Sequence, residues 1–288
     1  MRRILAALLA GAALAAPIAA AAHDHTPRSR AASAAALTAA LAPANRDAED
    51  VARDGARKPA EAIAFWGIKP NMTVVEIGAG GGYWTDILAQ YLRTGGGTLI
   101  ATFNDPELMN DQQRTNMANF LKKYQDHPEV FGRVVPGIFG QRTTKPIAEP
   151  GSADLVLTSR NFHGWMRFGM MDKAIADIST VLKPGGLVAL EQHRGDPRKP
   201  QDPTAASGYV RQDYVITQFL KAGFQFVGSS EIAANPKDTK DHPFGVWTLP
   251  PTRRTAPLGQ PDNPAFDRSA YDAIGESDRM TLLFRKPA

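Results

Sequence analysis

"VVEIGAGGGYWTDILAQYL", residues 74–92, runs from an apolar stretch interrupted by one acid, through four glycines in five positions, into an amphipathic segment. Val74, Val75 and Ile77 read as a strand over Thr73–Ile77. Trp84, Ile87, Leu88 and Tyr91 fall on one side of a helix over Tyr83–Arg93. A strand that turns through glycine into a helix sets backbone N–H groups and a helix N-terminus beside a ligand. Spacing decides what kind of ligand. A dinucleotide fingerprint beginning at Gly78 requires a third glycine at position 83, and the chain has Tyr83 there.

The residues spell instead E-x-G-x-G-x-G, carried by Glu76, Gly78, Gly80 and Gly82. A carboxylate at the strand's end repels a pyrophosphate but accepts a hydrogen bond or ion pair from an amine. The motif therefore suits a cofactor that carries an amino acid, such as S-adenosylmethionine.

Outward from this unit, strands and helices alternate. Strands are expected at Thr98–Phe103, Val130–Val135, Asp154–Thr158, Gly186–Glu191, Phe224–Glu231 and Arg279–Phe284. Helices are expected over Pro106–Tyr124, Met170–Leu182 and Tyr209–Ala222, with little or no helix in "FGQRTTKPIAEPGSA", which has two prolines and no period. Before the first strand, residues 45–66 read as helix with Asn45 as N-cap, broken in two at Pro59. Such alternation predicts an α/β, doubly wound, mostly parallel sheet covered on both faces. Only a Pro-rich polar insertion, residues 233–277, separates the last two strands, so these are expected to pair antiparallel at the edge.

"LKPGG" at residues 182–186 stops a helix at Pro184 and reverses the chain on glycine. With the E-x-G-x-G-x-G turn, it makes the chain resemble class I S-adenosylmethionine-dependent methyltransferases from about residue 60 onward. The resemblance implies a seven-stranded Rossmann-like sheet of order 3-2-1-4-5-7-6 and S-adenosylmethionine as cofactor, held by Glu76 and the glycines. It also implies an acid on the ribose at the end of the second strand, where Asp105 is the nearest carboxylate, with Gln141 as the nearest amide for the adenine. Asp105 before Pro106 equally fits a helix N-cap. More narrowly, "RDGARKPAEAIAFWGIKP" (53–70), "DLVLTSRNFHGW" (154–165), "EQHRG" (191–195), "NPKD" (235–238) and "ESDRMTLLFRKP" (276–287) resemble a group of predicted exported methyltransferases.

Ligands in such sheets sit beyond the carboxyl ends of the strands. Strand four there ends in Ser159-Arg160-Asn161-Phe162-His163-Gly164-Trp165 and strand five in Glu191-Gln192-His193-Arg194. Methyl transfer from a sulfonium needs an aligned nucleophile and sometimes a base. The catalytic candidates are His163 as base, Asn161 and Arg160 as positioning groups, and His193 as a second imidazole. Phe162 and Trp165 either wall the pocket by cation–π attraction or are plain core. No metal ligand set is assigned; His163, His193 and Glu191 have N and O donors that would suit zinc or iron, but sequence spacing does not establish such a site. On the pre-strand helix, Arg53, Asp54, Arg57 and Lys58 either close over the cofactor or pair with one another in solvent.

Composition limits partners and compartment. Arg2 and Arg3, an apolar run over residues 4–16 and Ala20-Ala21-Ala22 have the layout of a signal peptide cut before His23, implying export to a periplasm-like compartment and no membrane anchor afterwards. Residues 23–44 read as a flexible Ala-rich tail leading into a weak helix, and residues 45–288 as a single domain. The chain has no cysteine, which excludes disulfides and a lipid anchor on an N-terminal Cys. Residues 1–22 hold two arginines and no acid, leaving 31 basic and 29 acidic residues, with no case for nucleic acid. The expected activity is methyl transfer to a small-molecule substrate. The alternative is a periplasmic small-ligand binding protein that keeps this fold without catalysis.

Overall fold

In the computed structural model, which describes residues 27–288, seven strands form one sheet of order β3-β2-β1-β4-β5-β7-β6. The leader and residues 23–26 lie outside the described residues. Ahead of the sheet come α1 (Pro27–Ala40), α2 (Ala48–Val51), α3 (Asp54–Arg57) and α4 (Pro59–Trp66). Then follow β1 (Thr73–Ile77), α5 (Tyr83–Arg93), β2 (Thr98–Phe103), α6 (Asp111–Gln125), α7 (Pro128–Phe131) and β3 (Arg133–Ile138). The second half comprises β4 (Ala153–Ser159), α8 (Phe162–Arg167), α9 (Met171–Val181), β5 (Leu182–His193), α10 (Gln212–Lys221), β6 (Gln225–Ser230), α11 (Ser269–Ile274) and β7 (Arg279–Arg285). Strands β1 to β5 are mutually parallel, whereas β7 runs antiparallel to both β5 and β6. Helices cover both faces because the central strands present apolar side chains on each. Val75, Val156 and Val188 face α8–α10, while Val74, Leu155 and Leu157 face α4 and α5.

Several local expectations change. The chain over residues 27–40 is helical and its end is folded against the body: Ala40 is buried among Trp66, Trp84 and Leu88, so this part is not a free tail. Apolar alanine and leucine faces gain enough from that contact to order a helix of weak amphipathicity. Asn45 closes a short 3-10 turn; the N-cap is Asp47, whose side chain accepts from the Glu49 amide. Lys58, at φ 49°, makes the break before Pro59. The single helix expected after β2 is two pieces, a 3-10 turn at Pro106–Leu108 and α6, started by an Asn110–Gln113 capping box. The α9 helix stops at Val181, ahead of Pro184, and "LKPGG" is an irregular excursion of the strand: Ala153 pairs with Leu182 and Leu155 with Leu187. The insertion contains α11 and a 3-10 turn at Gly245–Thr248, and folds over the carboxyl ends of β4 and β5.

Candidate active site

Three cavities open beyond the carboxyl ends of the parallel strands, and Gly78 borders all of them. The first, about 510 Å³, lies between the tips of β1, β2 and β4 and the segment after β3. A second, about 70 Å³, sits in the glycine turn itself, walled by Glu76, Arg53, Tyr83 and Arg160. The third, about 240 Å³, lies in front of His163 and His193 under the insertion. Gly80 borders the second and third, and Asn161 the first and third.

Backbone geometry keeps this junction open. Gly78 has φ +64°, and a Cβ there would stand 2.9 Å from Asn161 Oδ1, so glycine is required by conformation and by space. Its amide donates to Thr102 Oγ1 at 2.9 Å, which ties the turn to β2. Asn161 Nδ2 donates to the Ile77 carbonyl at 2.7 Å and to Thr158 Oγ1 at 3.3 Å. That amide thus clamps the tips of β1 and β4 together, leaving Oδ1 facing the junction. Gly82, at φ +96°, caps α5, and a Cβ on it would meet the Tyr124 hydroxyl at 3.0 Å.

Glu76 is buried on β1, 4% exposed, and Oε2 accepts from Thr85 Oγ1 at 2.6 Å. Burial pushes its carboxyl up to about 8; the Thr85 hydrogen bond opposes this and the nearby Asp86 adds to it. No partner of Oε1 is found among the described residues, and the residue borders the smallest cavity, so an entering ammonium would meet a carboxyl waiting to ionise.

Asp105 borders the first of these cavities but is already engaged. Oδ1 accepts from the Glu107 amide at 3.1 Å and from Lys145 Nζ at 3.0 Å, and Oδ2 from Thr143 Oγ1 at 2.8 Å. Burial pushes its pKa up, but Lys145, the Glu107 amide and Thr143 outweigh that and hold it below the usual carboxylate range. It caps the 3-10 turn and presents one acceptor position on Oδ2 to a hydroxyl. Gln141 also lies on this cavity, donating to the Phe168 carbonyl. Leu108 and Phe168, 47% and 60% exposed, border the same cavity as bare apolar surface at its rim. Trp165 lies on this wall, not beside the histidines, and Phe162 is core, 1% exposed.

His163 and His193, on neighbouring strand ends, have ring centroids 5.8 Å apart. His163 Nδ1 faces the Gln192 amide, and Gln192 Nε2 donates to the Gly208 carbonyl at 2.9 Å. His193 Nδ1 faces Ser277 Oγ. Burial lowers the pKa of His163 to about 4, opposed by the Gln192 hydrogen bond and helped by Arg167 and Arg160. For His193 burial acts first and Arg279 second, taking it well below the ordinary value. Both rings are therefore neutral at pH 7. The aromatic wall opposite is Trp247, a residue of the insertion, with its ring centroid 5.8 Å from His163.

Arg160 follows β4 in the left-handed region, φ 61°, a conformation that costs a side-chain-bearing residue about 1 kcal/mol or more. Its amide donates to the Glu191 carbonyl at 2.8 Å, extending the β4–β5 pairing past the strand's end. Behind it lies a buried ionic network. Glu276 accepts from Arg53 Nε at 2.9 Å, Arg57 Nε at 3.2 Å and Arg279, while Arg279 also pairs with Glu191 at 3.0 Å. Arg57 and Arg279 are 2% and 1% exposed; of the charges on the pre-strand helix Arg57 is interior, Arg53 and Asp54 are half-buried and Lys58 is exposed. Burial pushes the Glu276 pKa up, but Arg279 and Arg53 outweigh that and lower it. Asp54 takes both Arg46 nitrogens, at 2.6 and 2.7 Å, and the Tyr83 hydroxyl at 2.8 Å. Glu191 is thus committed to Arg279, and among the described residues no group of three or more His, Asp or Glu side chains is placed to share a metal.

Sheet order and glycine turn together define a class I methyltransferase fold. The chain is similar in structure to an S-adenosylmethionine-dependent methyltransferase from Aquifex aeolicus, at TM-score 0.47 and 16% identity over 69% of this chain and 93% of that one. It is also similar to an S-adenosylmethionine-dependent methyltransferase from Mesorhizobium loti, at TM-score 0.47 and 12% identity over 81% and 99% of the two chains. A third is the arsenic(III) S-adenosylmethionine methyltransferase CrArsM from Chlamydomonas reinhardtii, at TM-score 0.45 and 18% identity over 88% and 73%. No family model and no curated protein matches the sequence. Among the described residues no helix is long and apolar enough to cross a membrane.

Proposed function

We propose that this chain binds S-adenosylmethionine and directs methyl transfer to a small molecule. The observation that carries the reading is the meeting of three cavities at Gly78: a large one suited to a nucleoside, a small one ending on Glu76, and one holding two neutral histidines. Their sizes and linings fit the three parts such a reaction needs. When bound, S-adenosylmethionine supplies an electrophilic methyl group on a sulfonium sulfur. Within the chain, Glu76 would receive the amine, Asp105 would offer its one remaining acceptor position to a ribose hydroxyl, and Leu108 and Phe168 would give the base apolar contact. Asn161 keeps the strand tips in register, so that the acceptor cavity faces the junction. His163 and His193, whose Nε2 atoms have no partner among the described residues, take the proton that an O or N nucleophile sheds.

The test is titration calorimetry with S-adenosylmethionine and S-adenosylhomocysteine. Micromolar binding that weakens at least about tenfold in Glu76→Gln supports the reading; absence of heat from both ligands with folded protein overturns it. From residues 1–22 we further propose that the protein belongs to the exported group it resembles, is cut after Ala22, and works as one domain over residues 45–288 together with the helix before it. Sequencing the N-terminus of protein from a native host decides this, since an intact Met1 contradicts export.

A further inference from the structure

The cavity in front of His163 and His193 carries more positive charge than the surrounding chain neutralises. Arg160 and Arg279 line it, and Arg53 and Arg57 belong to the network behind them, four guanidiniums against three carboxylates, Asp50, Glu191 and Glu276. Arg53, Arg57 and Arg279 each pair with one or more of these acids. Arg160 has no ion pair and no side-chain hydrogen bond among the described residues, and its Nε is sealed from solvent without a partner. An unpaired cation in a partly buried place is costly, and a ligand of opposite charge removes that cost. The strained backbone at Arg160 sets this guanidinium on the cavity wall together with Arg279. Facing them are flat rings, Trp247 and the two imidazoles, in about 240 Å³, room for a compact molecule of roughly one ring.

We propose that this cavity takes a small acceptor that bears a carboxylate, with Arg160 as its counter-charge and its nucleophilic atom turned toward His163 and His193. The word acceptor rests on the methyl-transfer reading; the anion site does not. Arg160 also borders the glycine-turn cavity, so the competing source of a carboxylate is the methyl donor's own amino-acid end. Arg279, which borders only the larger of these two cavities, favours the acceptor side.

Benzoate and benzamide, alike in shape and different in charge, are the probes. Their affinities are measured by titration NMR on the wild-type chain, without and with saturating S-adenosylhomocysteine, and on Arg160→Gln and Arg160→Lys. The expected result is benzoate preferred over benzamide by about tenfold or more, a preference that added salt reduces, Arg160→Lys retains and Arg160→Gln abolishes. That preference in protein that does not bind S-adenosylhomocysteine supports the anion site while sinking the methyl-transfer reading. Equal binding of the two probes to the wild type overturns the proposal without recourse to any variant. So does an Arg160→Gln protein that loses S-adenosylhomocysteine affinity but keeps the benzoate preference, because the guanidinium then serves the donor.

Discussion

A carboxyl such as Glu76, poised near pH 8 by burial, must lose its proton when an ammonium arrives. At pH 7 roughly nine-tenths of it is protonated in the free protein, so ligand binding releases close to one proton. Calorimetry of S-adenosylhomocysteine in buffers of different ionisation enthalpy measures that number, and a heat independent of buffer contradicts it. The same shift has a signed effect on folding. Between pH 4.5 and about 8 the folded chain holds a proton that the unfolded chain has shed. The contribution is therefore full below pH 4.5 and lost as pH rises to 8. Glu76→Gln removes this dependence, so the variant gains on the wild type as pH rises. His163 has the opposite sign: its folded pKa, about 4, lies below 6.5, so its contribution is complete above pH 6.5 and lost as pH falls toward 4. Proton NMR of its ring should show a midpoint near 4; a midpoint near 6.5 would mean the imidazole is solvated.

At the scale of elements, the glycine turn and the Asn161 clamp behave as one unit. Gly78→Ala places a Cβ 2.9 Å from Asn161 Oδ1 in a left-handed backbone, so both strain and clash apply. Destabilisation of about 1–3 kcal/mol is expected, with weaker S-adenosylhomocysteine binding. Asn161→Ala leaves the Ile77 carbonyl unpaired, costing about 1–3 kcal/mol. Because the two residues touch, the double variant should cost clearly less than the sum, which urea denaturation of the four proteins reads directly. The turn was legible in the sequence because its glycines, its acid and the flanking periods are local. The second function of Asn161 was not, since its partner Ile77 lies 84 residues away and no spacing announces the contact.

Over the whole molecule, Glu276 holds the N-terminal helices to the start of the last strand. Arg53 and Arg57 come from the start of the domain and Arg279 from its end, and all converge on this one carboxylate. Glu276→Gln leaves the buried Arg57 without a carboxylate and takes one of two from Arg53 and Arg279, which keep Asp50 and Glu191, and a loss of about 3–5 kcal/mol is expected. Chemical denaturation monitored by tryptophan fluorescence tests it; a change below about 1 kcal/mol would mean that water or Glu191 compensates. The network also fixes the insertion, whose start Asn235 ties to its end: its amide donates to Asp278 Oδ1 at 2.9 Å and its side chain to the Ile274 and Glu276 carbonyls. From that anchorage the segment reaches back to set Trp247 edge-on beside His163.

By itself the sequence determined the α/β alternation, the antiparallel edge, the glycine turn and the two histidines at strand ends, while the strand order was implied only by the resemblance to class I methyltransferases. The former follow from periodicity and short-range steric rules that act within a few residues. Tertiary structure alone decided that Asp105 is already engaged by Lys145 and Thr143, that Arg57 of the pre-strand helix is interior, and that Trp247 and Arg279 complete the third cavity. Each depends on contacts between distant segments, where burial, and not residue type, sets the charge and reach of a side chain.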